Sequence, residues 1–214
     1  MSRQQEAYDV ICTALLFIPD YSILHIAIRD SRITNIKDII MKLSLMRPHD
    51  VVVLLKIVAL GHNQWRSIDL ANQLFISPSE ISESLFRNKL AGLIDDSKKK
   101  VHKTSLYEFL VYGIKYFSPQ RPGEISRGMP TAHSAPPLSK LIKSSSAIYV
   151  WPDENGSVRG EVIEPLYPTI PKAAKMDRAF YELIALVDAI RVGKSRESQI
   201  AVSELKKRIF IDEK

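Results

Sequence analysis

The chain has 214 residues, 45% hydrophobic and 25% charged, which suits one sizeable core or two small domains and excludes a disordered or fibrous chain. No run approaches the ~18 apolar residues of a membrane helix, no secretory leader pattern opens the chain, and the single Cys12 excludes a disulfide framework or a cysteine-rich zinc site. The net charge is +6, and the excess is local: residues 41–143 carry 15 Lys/Arg against 8 Asp/Glu, residues 1–40 carry 4 against 5, and residues 144–214 carry 11 of each. A local basic excess favours a polyanionic partner.

Residues 1–40 hold an apolar segment at 10–18, ended by Pro19-Asp20, and a mixed segment at 21–40. They read either as an N-terminal helical arm used in dimerisation or as an extension ahead of a start at Met41. In "MKLSLMRPHDVVVLLKIVALG", Asp50 is placed to cap a nearly all-buried helix over 51–60, and Gly61 to stop it.

The stretch "SIDLANQLF" reads as a short helix capped by Ser67. Asp69 complements its N-terminal dipole, and Leu70, Ala71 and Leu74 form its inner face. Ile76-Ser77 is a turn. The next helix has Ser77 as N-cap, Pro78 at the first position and Glu80 at the third, a capping box. Ile81 and Leu85 face inward, with Leu90 and Leu93 carrying the apolar surface on. Ser79, Glu80, Ser82, Glu83, Phe86 and Arg87 are left directed largely outward.

A short β-ribbon follows, its turn bearing Lys98, Lys99 and Lys100. Ser105-x-x-Glu108 then opens a helix over 106–117, which Ser118-Pro119 ends. Residues 118–140 contain five prolines and read as an ordered loop, linker or extended strap. Two β-prone runs around Pro152 to Gly156 predict a hairpin. The last elements are two helices, one over about 173–192 with Phe180, Leu183, Ile184, Val187 and Ile190 inward, the other capped by Ser195 with Ile200, Val202, Leu205 and Ile209 inward.

Residues 47–103 resemble a winged helix-turn-helix domain of bacterial transcription regulators of the MarR-like type. The matching pieces are the buried first helix, Trp65, "DLANQL", "ISPSEISESL", "AGLI" and the lysine-bearing wing. The resemblance implies sequence-specific double-stranded DNA binding, often by a homodimer, and covers about a quarter of the chain. It makes Ser77, Ser79, Glu80, Ser82, Glu83 and Arg87 on the second helix, with Lys98, Lys99 and Lys100 on the wing, the expected DNA contacts. Serine serves several bases, glutamate accepts from cytosine N4, and arginine reaches guanine or phosphate. Asn88 stands where such helices often carry an apolar residue, and the acidic outer face departs from the basic one of many relatives.

The histidines His25, His49, His62, His102 and His133 show no metal-ligand spacing and read as solvated or hydrogen-bonded. No Walker loop, G-x-G-x-x-G, H-E-x-x-H or G-x-S-x-G is present, so no cofactor, metal or enzymatic activity is expected. Arg127, Thr131 and His133 lie among the prolines and read as part of the strap, and Tyr149 and Trp151 as core aromatics.

The expected architecture is mainly α (α+β): residues 1–40 as arm or extension, 41–117 as the winged helix-turn-helix domain, 118–145 as strap, and 146–214 as hairpin plus two helices. The expected protein is a cytoplasmic, dimeric DNA-binding regulator with no membrane partner. The alternative is a protein-interaction adaptor, an antitoxin-like neutralising partner of a neighbouring enzyme, to which the acidic helix face and Phe86 are suited.

Overall fold

The computed structural model describes residues 45–142 and 147–210. The chain divides into two units, Met1–Leu45 and Met46–Lys214, and the architecture below is that of the second. The arm expected at 1–40, the start at Met41, Cys12 and His25 lie outside the described residues.

Helix α1 (Pro48–Leu60) is buried from His49 through Ile57, as its apolar sequence requires. Its N-cap is Arg47, not Asp50. Pro48 takes the first turn, where no amide is needed, and the Asp50 carboxylate reaches back to accept from the Arg47 amide at 2.7 Å. Gly61 ends the helix at φ 59°. Helix α2 (Ser67–Leu74) repeats this shift: Arg66 is the N-cap, and Asp69 accepts from its amide at 2.9 Å. An acidic side chain at the third helical position supplies the capping contact that the serine was expected to make.

Helix α3 (Pro78–Leu90) is followed by a ribbon of one antiparallel bridge, Ile94 to Val101. Helix α4 (Lys103–Glu108) passes through a π turn, Phe109–Gly113, into α5 (Ile114–Phe117). His102 is its N-cap, so the box expected from Ser105 and Glu108 does not open this helix.

The proline-rich stretch contains a strand, β1 (Ile125–Pro130), then the 3-10 turn Ala132–Ser134 and the short α6 (Leu138–Leu141). Strands β2 (Tyr149–Pro152) and β3 (Val158–Val162) do not form the expected antiparallel hairpin. Each pairs antiparallel with β1, as in Met129 opposite Trp151 and Ser126 opposite Gly160, and they meet one another in parallel register at Tyr149 and Glu161. The expected turn exists, with the Gly156 amide donating to Asp153 O at 2.8 Å, but β1 takes up the ladder positions the hairpin would have used. Three strands close this tightly only on glycine: a Cβ at Gly128 would overlap the Trp151 carbonyl, and one at Gly160 the Ile148 carbonyl.

The expected long helix before Val192 is divided at Asp177 into α7 (Ile170–Met176) and α8 (Arg178–Val192), because the Asp177 side chain caps α8 by accepting from the Phe180 amide. Helix α9 (Ser195–Ile209) follows, with Glu197 accepting from the Lys194 amide so that Lys194, not Ser195, is the N-cap. Phe180, Leu183, Ile184, Val187 and Ile190 are buried as expected, as are Leu205 and Ile209, whereas Ile200 and Val202 are half-buried.

Helix α8 is central, packing on α1, α9, α7, α5 and the 3-10 turn. One continuous core, from Val51 to Ile209, therefore takes side chains from all three stretches that begin at residues 41, 118 and 146. Two partly buried polar ties cross it: the Lys56 ammonium on the Asp177 carboxylate at 2.6 Å, and the Thr169 hydroxyl on Leu74 O at 2.6 Å. The fold is mainly helical with one small three-stranded sheet, and no helix among the described residues is long and apolar enough to cross a membrane.

Candidate nucleic-acid interface

Helix α2 ends at Phe75, which adopts the left-handed conformation at φ 55°, and Ala71 is buried where α3 crosses. A small residue permits this close crossing. The Ser77 hydroxyl then caps α3 by accepting from the Glu80 amide at 3.2 Å, with Pro78 at the first position. The expected box is only half made, because the Glu80 carboxylate is used elsewhere.

It goes to Arg87. This guanidinium, expected at the outer face, is fully buried. Its Nε and Nη2 make a two-pronged pair with the Asp50 carboxylate of α1 at 2.8 and 2.7 Å, Nη2 also donates to Glu80 Oε1 at 2.8 Å, and Nη1 lies 3.5 Å from Glu83. Arg47 Nη1 adds a further bond to Glu80 at 3.2 Å. His49 Nε2 lies 2.9 Å from Arg87 Nη2 and 2.7 Å from Glu80 Oε1, an acceptor to the first in one tautomer and a donor to the second in the other. Desolvation pushes the Glu80 carboxyl up, but the hydrogen bonds from Arg87 and His49 outweigh it and hold it below the usual glutamate value. Arg87 is drawn inward because Asp50, itself fully buried, has to be neutralised there.

The other unexpected inward residue, Asn88, donates from Nδ2 to Asp50 O at 3.0 Å and so ties α3 to the α1 backbone. Leu90, expected inward, is 54% exposed because α3 has turned past the core by its last residue.

What α3 presents to solvent follows from this. Ser77, Ser79 and Ser82 are exposed, Glu80 and Glu83 are half-buried and drawn toward Arg87, and Phe86 is half-buried. The face that looks acidic in sequence is a row of hydroxyls whose neighbouring carboxylates are already paired.

The wing is fixed at its base. The His102 amide donates to Leu93 O and the Asp95 amide to Lys100 O, both at 2.9 Å. The Asp95 carboxylate accepts from the Ser97 hydroxyl at 2.5 Å and from the Lys99 and Lys100 amides at 2.8 and 2.9 Å, which holds the carboxyl down at about 2. Lys98 takes φ 57° at the tip.

The three lysines then part. Lys98 places its ammonium 5.4 Å from the Phe86 ring of α3, and Lys99 stands 4.1 Å over Trp65 and donates to Trp65 O at 2.9 Å. Lys100 is exposed and lines a cleft against α1. Arg66 lies beside Trp65 at the start of α2. It is held by two bonds to Asp69, whose carboxyl these same Arg66 contacts keep low.

Of the nine expected contacts, Ser77, Ser79, Ser82, Lys99 and Lys100 are exposed on α3 and the wing, Glu80, Glu83 and Lys98 are half-buried, and Arg87 is removed altogether. Arg47, His49 and Asp50 join the site without having been expected there. No sequence spacing signals them; the spacing of Glu83 and Arg87, at the i, i+4 separation that favours a pair along one helix, signals only that pair.

Arg127, Thr131 and His133 do not converge: Arg127 is in β1, the Thr131 hydroxyl donates to Asp188 at 2.8 Å, and His133 Nε2 meets Ala147 O at 2.9 Å. Among the described residues no three His, Cys, Asp or Glu side chains are grouped to hold a metal ion. Comparison of the chain with known protein families, with curated proteins and with solved structures finds no match.

Proposed function

We propose that residues 47–103 act as a winged helix-turn-helix unit that binds double-stranded DNA. In this reading α3 lies in the major groove, its serine hydroxyls meet base edges, and Lys98 to Lys100 lie along the sugar-phosphate backbone. The observation that carries the reading is the pairing of Glu80 and Glu83 with Arg87, which leaves hydroxyls beside a lysine-bearing wing on one surface. Carboxylates so held oppose a phosphate backbone less than free ones. A single α3 covers a small footprint, so the protein acts as a homodimer on a palindromic site and regulates a small set of genes.

Fluorescence anisotropy on own-promoter and random duplexes across a salt series tests this. Preference for the promoter with a steep salt slope is expected. Changing Lys98, Lys99 and Lys100 together to Gln should flatten the slope by up to about 3, roughly one for each phosphate that a lysine neutralises. Equal binding to both duplexes, or a slope unmoved by the triple change, overturns the reading.

A second reading, docking of a protein partner such as a neighbouring enzyme, is favoured by Phe86 and Leu90, which continue the α3 surface with apolar area, Leu90 being 54% exposed. Co-purification of the native protein with the product of an adjacent gene, abolished by Leu90→Glu, would support it over DNA.

A further inference from the structure

Between the end of α1, the second half of the wing and the start of α4 lies an open cleft of about 460 Å³, within the range of small-ligand sites. Ile57, Val58 and Val101 give it an apolar lining, and Lys99 and Lys100 supply cations. No carboxylate among the described residues lines it. The contrast with a second cleft, about 530 Å³ between α1, α8 and α9, is informative. There the cations are paired with carboxylates: Arg208 binds both Glu182 and Glu204, and Lys207 binds Glu204.

In the basic cleft, Lys100 has no ion pair among the described residues, and Lys99 is held in place by the Trp65 carbonyl and ring. A fixed cation loses little side-chain entropy when an anion arrives. His102 uses Nδ1 on Gly92 O at 3.0 Å, so Nε2 is the ring nitrogen that can serve a ligand.

We propose that this cleft binds a small phosphomonoester with an apolar or planar body, the size and chemistry of a nucleoside monophosphate. The phosphate lies on Lys99 and Lys100, and the body lies against Ile57, Val58 and Val101. Concavity separates this site from the α3 surface: Lys98 is directed at Phe86, whereas Lys100 lines the pocket against α1. The proposal does not depend on DNA binding, since the ligand is measured with no DNA present.

The test is isothermal titration of the whole chain with adenosine 5′-monophosphate, adenosine and inorganic phosphate, together with amide shift mapping. Saturable binding of the monophosphate at one site per chain is expected, with adenosine and phosphate each at least tenfold weaker. Amide shifts should concentrate at residues 57–62 and 99–104. Lys100→Gln should weaken the monophosphate about tenfold, the effect of removing one charge-assisted hydrogen bond, while Lys98→Gln leaves it unchanged.

Three results overturn the proposal. One is no saturable binding of the monophosphate. Another is equal weakening in both lysine variants, which marks diffuse attraction. The third is monophosphate binding that Lys100→Gln leaves unchanged, which puts the phosphate elsewhere than on Lys100. A failure of promoter preference alone leaves the cleft intact and removes only the regulator reading.

Discussion

Two buried arginine–carboxylate pairs organise this molecule, and they differ in their access to water. In the first, Arg87 and Asp50 join α3 to α1, but Glu80 and Arg47 at the rim keep 25% and 37% of their side-chain surface exposed. In the second, the Asp188 carboxylate of α8 accepts from Arg191 at 2.7 Å, from the Trp151 indole at 2.7 Å and from the Thr131 hydroxyl at 2.8 Å, and is wholly enclosed. That one side chain fixes the helix, the sheet and the strap. Burial pushes the Asp188 carboxyl up, against the pull of Arg191 and the other donors. The same chemistry thus performs two tasks. A sealed pair fixes three elements in one arrangement, and a rim-exposed pair sets how the carboxylates of a surface helix are disposed.

The largest effect is expected where no solvent can compensate. Asp188→Ala leaves the Arg191 charge, the Trp151 N–H and the Thr131 hydroxyl without their acceptor and should lower stability by about 3–5 kcal/mol in urea unfolding. A decrease under about 1 kcal/mol would show that these donors find other partners, and the contrast between the two pairs would disappear.

Arg87→Ala comes next. It strands Asp50, but Glu80 can relax toward water, Arg47 and His49, so a decrease of about 2–3 kcal/mol is expected. The variant also sharpens the interface. Because the guanidinium is enclosed, the salt slope of DNA binding by the folded fraction should stay as in the parent protein. A slope reduced by about 1 would instead put Arg87 at a phosphate.

Much of the helical framework is legible in the sequence, because periodicity reports burial directly. The buried run of α1, the Ser77-Pro78 start of α3 and the inward stripe of α8 follow from it. The caps expected at Asp50, Ser67 and Ser195 fall elsewhere for one reason. In each case an acidic residue at the third position of the helix reaches back to the preceding backbone amide, and sequence spacing does not distinguish this from a serine or aspartate in the cap itself.

The sheet is less legible. The partner of β2 and β3 is a strand built from "ISRGMP", whose glycine and proline argue against a strand unless the backbones must approach closely. Within the candidate site, the exposed serines and lysines are a matter of helix phase and are readable. The inward turn of Arg87 is not, since it depends on Asp50, 37 residues away in sequence.

The smallest effect, and the one nearest the wing lysines, concerns Asp95. Its carboxyl is held down at about 2, first by the Ser97 hydroxyl and then, against some desolvation, by the Lys100 and Lys99 amides. A depressed carboxyl stabilises the turn when ionised. The contribution is therefore complete above the unfolded value of about 3.9 and vanishes as pH falls through about 2. The Lys99 and Lys100 amide shifts should accordingly titrate with a midpoint near 2. A midpoint near the unfolded value would mean that the turn does not hold the carboxylate. At neutral pH, Asp95→Ala should speed hydrogen exchange at those two amides while leaving the His102 amide, bonded to Leu93 O below the turn, unchanged. If all three amides speed up together, the wing is ordered as one unit from its base. If only the two move, the tip is set by one carboxylate, and the ordering that directs Lys98 toward Phe86 and Lys99 toward Trp65 is local to the turn.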